Sequence, residues 1–227
     1  RVWRAFKALA GPADFHGFTY VDVGANNPWE LSITGTLYSM GWRGLLIEAD
    51  PDLAAELRAS RPGDAVIEAA ASDAPGELVF YRVPGTGLGT LDPAEAQAAT
   101  SRGFDVEERL VEAQPLDSML HSFLGNPDLP IHFMSIDVEG AEALVLSGLS
   151  LQEYRPWVLC IEAVLPGTAV ASHAQWEPRL LNAGYVFATF DGVNRWYVAA
   201  EHSELVEPIS VPFNAIDAGE AGWVLAP

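Results

Sequence analysis

Five short apolar runs recur along the chain: "FTYVDV" (18–23), "GLLIEA" (44–49), "AVIEAA" (65–70), "IHFMSIDV" (131–138) and "WVLCIEA" (157–163). They are nearly continuous rather than alternating, which predicts strands covered on both faces. Between them "LSITGTLYSMG" (31–41), "PDLAAELRAS" (51–60) and "AEALVLSGL" (141–149) carry apolar residues at helical spacing, and Pro156 in "QEYRP" stops further helix. Strand and helix alternating over short links predict an α/β fold, a parallel sheet with helices on both faces. The pattern then changes. "GYVFATF" (184–190) and "RWYVA" (195–199) flank a turn containing Asp191-Gly192, so an antiparallel hairpin should finish the sheet. Residues 1–17 read as an N-terminal helical segment. Residues 84–115, opening with "PGTGLGTLDP", lack clear periodicity and read as a lid or insertion within a single domain spanning 1–227.

Composition narrows the functional classes. With 227 residues, 49% apolar and 19% charged, the chain is globular rather than disordered. No apolar run approaches the ~20 residues of a membrane-spanning helix, and no secretory signal is visible. A net charge of −19, with Lys7 the single lysine, disfavours nucleic acid and membrane surfaces as partners. The basic residues Arg1, Arg4 and Lys7 read as a solvated helix face. Cys160 is the single cysteine and reads as a small buried hydrophobe, so the expected compartment is a reducing cytoplasm. The chain starts at Arg1 and is expected to be a trimmed or excised piece.

In open α/β sheets, ligands bind beyond the carboxyl ends of the strands. The polar residues closing the predicted strands are Asp22 to Asn26, Glu48 with Asp50, Ser72 with Asp73, Asp137 with Glu139, and Glu162. Every tip carries a carboxylate, which a purely structural sheet does not need. The first turn, "YVDVGANNPWE" (20–30), is no dinucleotide fingerprint, because Asn26 and Trp29 stand where the second and third glycines belong. The glycines of 85–89 lack the Gly-Lys-Ser/Thr ending of a P-loop. A single glycine beside Asp22 and Asn26 suits a small zwitterionic or cationic ligand end. Glu48, 24 residues beyond Gly24, can accept both hydroxyls of a ribose. An adenosyl amino acid fits these features better than a nucleotide carrying phosphates.

"VDVGANNPWELSIT", "GWRGLLIEADP", "VPGTGLGTLD", "IHFMSIDVEGAEALVLSGL", "RPWVLCIEA", "HAQWEPRLLNAGYVFATFDGVNRWYVA" and "VPFNAID" fall in order from residue 21 to 217. In these stretches the chain resembles the FkbM family of S-adenosylmethionine-dependent methyltransferases, with "IDVEGAE" and "FDGVNRWYVA" the most distinctive. The resemblance implies the seven-stranded class I methyltransferase (Rossmann-like) fold. It also implies S-adenosylmethionine as donor and O-methylation of hydroxyls, frequently on sugars of glycans or on natural products. Carried over by position, Asp22, Gly24 and Asn26 hold the methionine end, Glu48 the ribose, and Ala71 with Ser72 lie near the adenine.

A sulfonium methyl is already reactive, so the demand falls on the acceptor, an alcohol with a pKa of roughly 15 that must lose its proton. Asp137 and Glu162 end adjacent predicted strands, and two close carboxylates need a cation or a shared proton between them. They are therefore expected either to bind Mg²⁺ or a similar ion, or to act separately, Asp137 on donor or acceptor and Glu162 on main-chain N–H groups. Glu139 or Glu142 should cap the helix after Gly140. His173, in "SHAQWEP", is the first choice for a base. His16, His121, His132 and His202 have weaker contexts, and His132 reads as a satisfied core or edge residue. Trp29 and Trp176, read as loop residues, are expected to touch substrate, whereas Trp196 and Tyr197 pack in the core. The leading expectation is an O-methyltransferase for a sugar or glycan precursor. The alternatives are a polyketide or other secondary-metabolite hydroxyl as acceptor, a non-catalytic adenosyl-ligand or glycan-binding module, and a nicotinamide-dependent enzyme.

Overall fold

The computed structural model describes residues 1–10, 17–126 and 128–212. His16 and most of "VPFNAID" lie outside the described residues. The seven strands of the main sheet run β1 (Thr19–Val23), β2 (Arg43–Glu48), β3 (Ala65–Glu68), β7 (Phe133–Ile136), β8 (Val158–Glu162), β9 (Tyr185–Phe190) and β10 (Asn194–Ala199). Their spatial order is β3-β2-β1-β7-β8-β10-β9. All pairings are parallel except those of β10, which runs antiparallel to both β8 and β9. The expected parallel sheet with a terminal hairpin is therefore present, with β10 inserted between β8 and β9.

Helices cover both faces. Val21, Val23, Leu45 and Ile47 point to one side, against Leu116, Met119 and Leu120 of α5 (Leu116–Leu124), Val145 and Leu146 of α6 (Glu142–Ser147), and Leu180 of α7 (Glu177–Asn182). Tyr20, Leu46, Phe133 and Cys160 point to the other. There they meet α1 (Val2–Ala10), α2 (Gly35–Ser39), α3 (Pro51–Ser60) and α8 (Val206–Ser210). Each central strand thus contributes alternate residues to two cores, which is why its sequence is almost wholly apolar, whereas the edge strand β3, expected to be covered on both faces, and β9 are partly exposed. Cys160 is buried as expected.

α3 coincides with its prediction because its start is chemically marked: Asp50 Oδ1 accepts Asp52 N–H at 2.9 Å and Pro51 opens the first turn. The helix predicted over 31–41 shrinks to α2: Asn27 Oδ1 holds a turn just before it by accepting from Trp29 (2.9 Å) and Glu30 (2.8 Å), Leu31 has φ +57°, and Ser32 Oγ accepts Gly35 N–H at 3.0 Å where the helix starts. The basic residues at the start are not merely solvated. Arg1 donates to Ile209 O at 2.7 Å and Arg4 to Val211 O at 3.1 Å, supplying donors to the carboxyl end of α8. His132, read as satisfied, accepts Thr19 N–H at 3.0 Å through Nδ1, and burial lowers its pKa to about 4.

The run 65–70 is not one strand. β3 ends at Glu68, and β4 (Ala70–Ser72) belongs to a second sheet of order β4-β6-β5, with β5 (Gly76–Arg82) and β6 (Glu107–Pro115). Residues 84–115 therefore hold more than an unpatterned insertion: α4 (Pro93–Ser101) and β6 lie inside them. Residues 83–91 leave β5 and return, Tyr81 and Thr90 exchanging both backbone hydrogen bonds at 2.8 and 3.1 Å. The side chain of Thr90 then donates to Glu139 O at 2.7 Å, tying this segment to the loop after β7.

Candidate active site

A cleft of about 290 Å³ opens at the carboxyl ends of β1, β2 and β7. Its floor is Asp22, Gly24, Glu48 and Asp137, and its roof is the segment Thr86–Leu91. Gly24 has φ +80°, and a Cβ there would meet Asp137 O at 1.8 Å. The glycine is thus required first by the close approach of two strand ends. Gly87 allows a second such approach, since a Cβ on it would lie 2.3 Å from Asn26 Nδ2.

The turn after β1 spends its own donors. Gly24 and Ala25 donate to Ile47 O at 3.0 and 3.1 Å, and Asn26 donates to Glu48 Oε2 at 2.8 Å. Phosphate cradles instead present successive main-chain N–H groups to the ligand. This turn cannot, which removes the nicotinamide dinucleotide reading on geometry as well as on sequence. Glu48 also accepts Asp50 N–H at 2.8 Å through Oε1, leaving further lone pairs for hydroxyl donors in the cleft. Arg82, on the rim, is bound by Asp50 and Asp52.

Burial acts on the carboxyls at the strand ends. It raises Asp22 to about 6, against a 2.5 Å bond from Thr34 Oγ1 and the charge of Arg61. It raises Glu48 to about 7 against three main-chain donors, and Glu139 to about 8 with help from the Asp137 and Glu142 charges. Neither Glu139 nor Glu142 caps α6, whose first turn receives no side-chain bond; Glu142 Oε1 instead accepts the N–H groups of Gly140 (3.1 Å) and Val138 (3.3 Å) in the loop before it. Glu139 has φ +52° and lines the cleft.

Asp137 lines the cleft, while Glu162 stands behind it and hydrogen-bonds to it. Burial, then the charges of Asp137, Glu139 and Glu142, push Glu162 well above the usual carboxylate range, which favours a proton held between the two carboxyls on the Glu162 side. That bond lowers Asp137, whose burial raises it. The expected ion does not fit. Among the described residues no group of three or more His, Cys, Asp and Glu side chains is placed to hold one, and a proton already relieves this pair.

Four expected residues stand elsewhere. The chain after β8 folds back, Ser172 donating to Ala163 O at 2.9 Å, and carries His173 outside the cleft lining to within 3.8 Å of Glu177. Trp176 is buried at 3% exposure rather than looped out. Ser72 turns its hydroxyl to Ala74 O at 2.6 Å, leaving Ala71 alone of that pair on the cleft. Trp29 is half-exposed against the edge of Tyr38 and is not part of the lining. Trp196 and Tyr197 are buried, as expected. Sequence reasoning missed Phe80 and Arg82 as cleft components, whereas the roof residues fall within the stretch 84–115 that its glycines marked as a lid.

The raised carboxyls carry a consequence for stability. Their folded pKa values exceed the unfolded ones, so folding loses stability as pH rises from the unfolded value of 4.5 until Glu48, Glu142 and Glu139 have ionised at about 7 to 8. The ligand-free protein should melt lower at pH 8.5 than at pH 6.5, by on the order of 5 °C. Scanning calorimetry checks this, and a flat or rising profile would contradict it.

The strand order, the reversed last strand and an acidic cleft without a phosphate cradle define an α/β chain of the seven-stranded, class I methyltransferase type. The methyltransferase FkbM domain model matches residues 22–187, well over half of the chain, which therefore belongs to that family. Methyltransferase FkbM from Methylobacillus flagellatus KT, a crystal structure at 2.20 Å, is 17% identical, with a TM-score of 0.48 over 81% of this chain. This chain spans only 44% of that protein's length. A TehB-like SAM-dependent methyltransferase from Corynebacterium glutamicum ATCC 13032 Kitasato is 10% identical, with a TM-score of 0.44, covering 87% of this chain and 86% of that one. No curated protein matches the chain.

Proposed function

We propose that this domain is an S-adenosylmethionine-dependent O-methyltransferase acting on a hydroxyl of a sugar or glycan precursor. The observation that carries the donor half is Glu48, fixed through both oxygens at the tip of β2 beside a turn whose N–H groups are already used. That arrangement favours ribose hydroxyls and a cationic amino-acid end and disfavours phosphates. Bound S-adenosylmethionine supplies an electrophilic methyl on a sulfonium.

The chain's own residues do the rest. Glu48 accepts from the ribose, Ala71 borders the adenine, and Asp22, Gly24 and Asn26 surround the amino-acid end. The segment Thr86–Leu91 excludes water as a roof. Asp137 takes the acceptor proton, with Glu162 as its hydrogen-bond donor. The acceptor's chemical class rests on the family resemblance. No helix among the described residues is long and apolar enough to cross a membrane, and the lone buried Cys160 suits a reducing compartment.

Thermal shift with S-adenosylmethionine, S-adenosylhomocysteine and NAD tests the donor. The two adenosyl ligands should raise the melting temperature and NAD should not. No response at saturating adenosyl ligand would end this reading. Labelled donor with a panel of sugars and polyketide alcohols, read by mass, then identifies the acceptor.

A further inference from the structure

Arg61, the residue that ends α3, is completely buried, a costly place for a guanidinium. All five of its N–H donors are used. Nε donates to Asp64 Oδ2 at 3.0 Å, and Nη2 to Tyr20 Oη at 2.9 Å and Thr34 Oγ1 at 2.8 Å. Nη1 faces Pro28 O at 3.4 Å and Ser32 Oγ at 3.3 Å. Thr34, whose oxygen receives Arg61, passes its own proton to Asp22 Oδ2 at 2.5 Å. One side chain therefore joins the floor carboxylate of the cleft to the segment 28–34, of which Glu30 to Ile33 are cleft wall.

Such a staple does two separable things. It fixes the wall, and it fixes the charge state of Asp22. The titratable groups facing Asp22 are Arg61 and Asp64 from the α3–β3 connection and Asp137 from the end of β7, with the Cys160 thiol on β8 beside them. Arg61 is the one cation among them, and Thr34 Oγ1 is the hydrogen-bond donor to the carboxylate. Hydrophobic residues of similar volume would fill the space at lower desolvation cost. An arginine there provides a charge and a fork that such residues cannot.

We propose that Arg61, outside the cleft lining, is a positioning residue for donor binding that acts through Thr34 to keep Asp22 anionic against the donor's cationic end. This rests on the donor reading above. Calorimetric binding of S-adenosylhomocysteine between pH 5.5 and 8.5 tests it. Wild-type binding must be seen first, and its absence would refute the donor assignment rather than this one.

Thr34→Val keeps Arg61 and its contacts to Pro28 O and Ser32 Oγ but removes the bond that holds Asp22 down, together with one acceptor of Arg61. Its affinity should be about threefold weaker at pH 6.5 and about eightfold weaker at pH 5.5, approach the wild type by pH 8.5, and show an acid-side midpoint about one pH unit higher. Arg61→Met should add a loss that persists at pH 8.5, because the wall is released as well. Arg61→Lys, which keeps the charge without the fork, should show that loss with a midpoint near the wild type. In an Asp22→Asn background Thr34→Val should no longer move the midpoint. An unmoved midpoint in Thr34→Val, or an equal shift with Asp22 already replaced, overturns the proposal even if Arg61→Met does not fold.

Discussion

Replacing Glu48 by glutamine should lower the affinity for S-adenosylhomocysteine by about 100-fold while leaving a folded protein. The magnitude follows from the charge-assisted bonds that a carboxylate makes to two hydroxyls, each worth roughly 1.5–3 kcal/mol. Glutamine fills the same volume and keeps one oxygen for a main-chain donor, but its amide nitrogen faces the other N–H. The cost to folding is partly offset, because burial already holds Glu48 up at about 7 and a neutral side chain removes that penalty at higher pH. Glu48→Ala is the harsher change. It leaves both Asn26 N–H and Asp50 N–H without their acceptor, so it should lower the melting temperature as well as the affinity. Calorimetry and thermal denaturation separate the two losses. Wild-type affinity in Glu48→Gln would remove the ribose assignment.

The legible part of this site lay where one residue sits at one strand tip. Asp22, Glu48 and Asp137 follow apolar runs that only a buried parallel strand explains, and the tip of such a strand is where a ligand meets the chain. Gly24 was legible as a special position but not in its cause, because the carbonyl it admits belongs to Asp137, more than a hundred residues away. The second sheet was harder to read. β6, "EERLVEAQP", is exposed along most of its length, so no burial imposes a period on its sequence. α7 likewise begins after a turn that buries Trp176, and a tryptophan beside Pro178 in a polar stretch reads as loop. His173 misled for a related reason. Its residue type suits proton transfer, but its direction depends on how the chain after β8 doubles back, which local pattern does not encode.

Asp137→Asn should reduce turnover by about 1,000-fold with donor affinity held within a few-fold, once an acceptor is identified. General-base removal is worth roughly 10²–10⁴ in rate; asparagine matches the shape of the aspartate side chain, and the carbonyl that Gly24 packs against is main chain and unchanged. Glu162 offers a sharper comparison. At neutral pH it is a protonated acid donating to Asp137, and the amide of Glu162→Gln donates in the same way, so this variant should stay within about tenfold of wild type. Glu162→Leu removes the donor. Asp137 then loses the bond that lowers its pKa while keeping the burial that raises it, so its pKa climbs. Because turnover needs ionised Asp137, the acid limb of the pH–rate profile should move to higher pH in Glu162→Leu and stay in place in Glu162→Gln. Identical limbs in the two variants would show that the second carboxyl does not govern the first, and the base would have to be sought elsewhere along the cleft, with Glu139 the next carboxylate facing it.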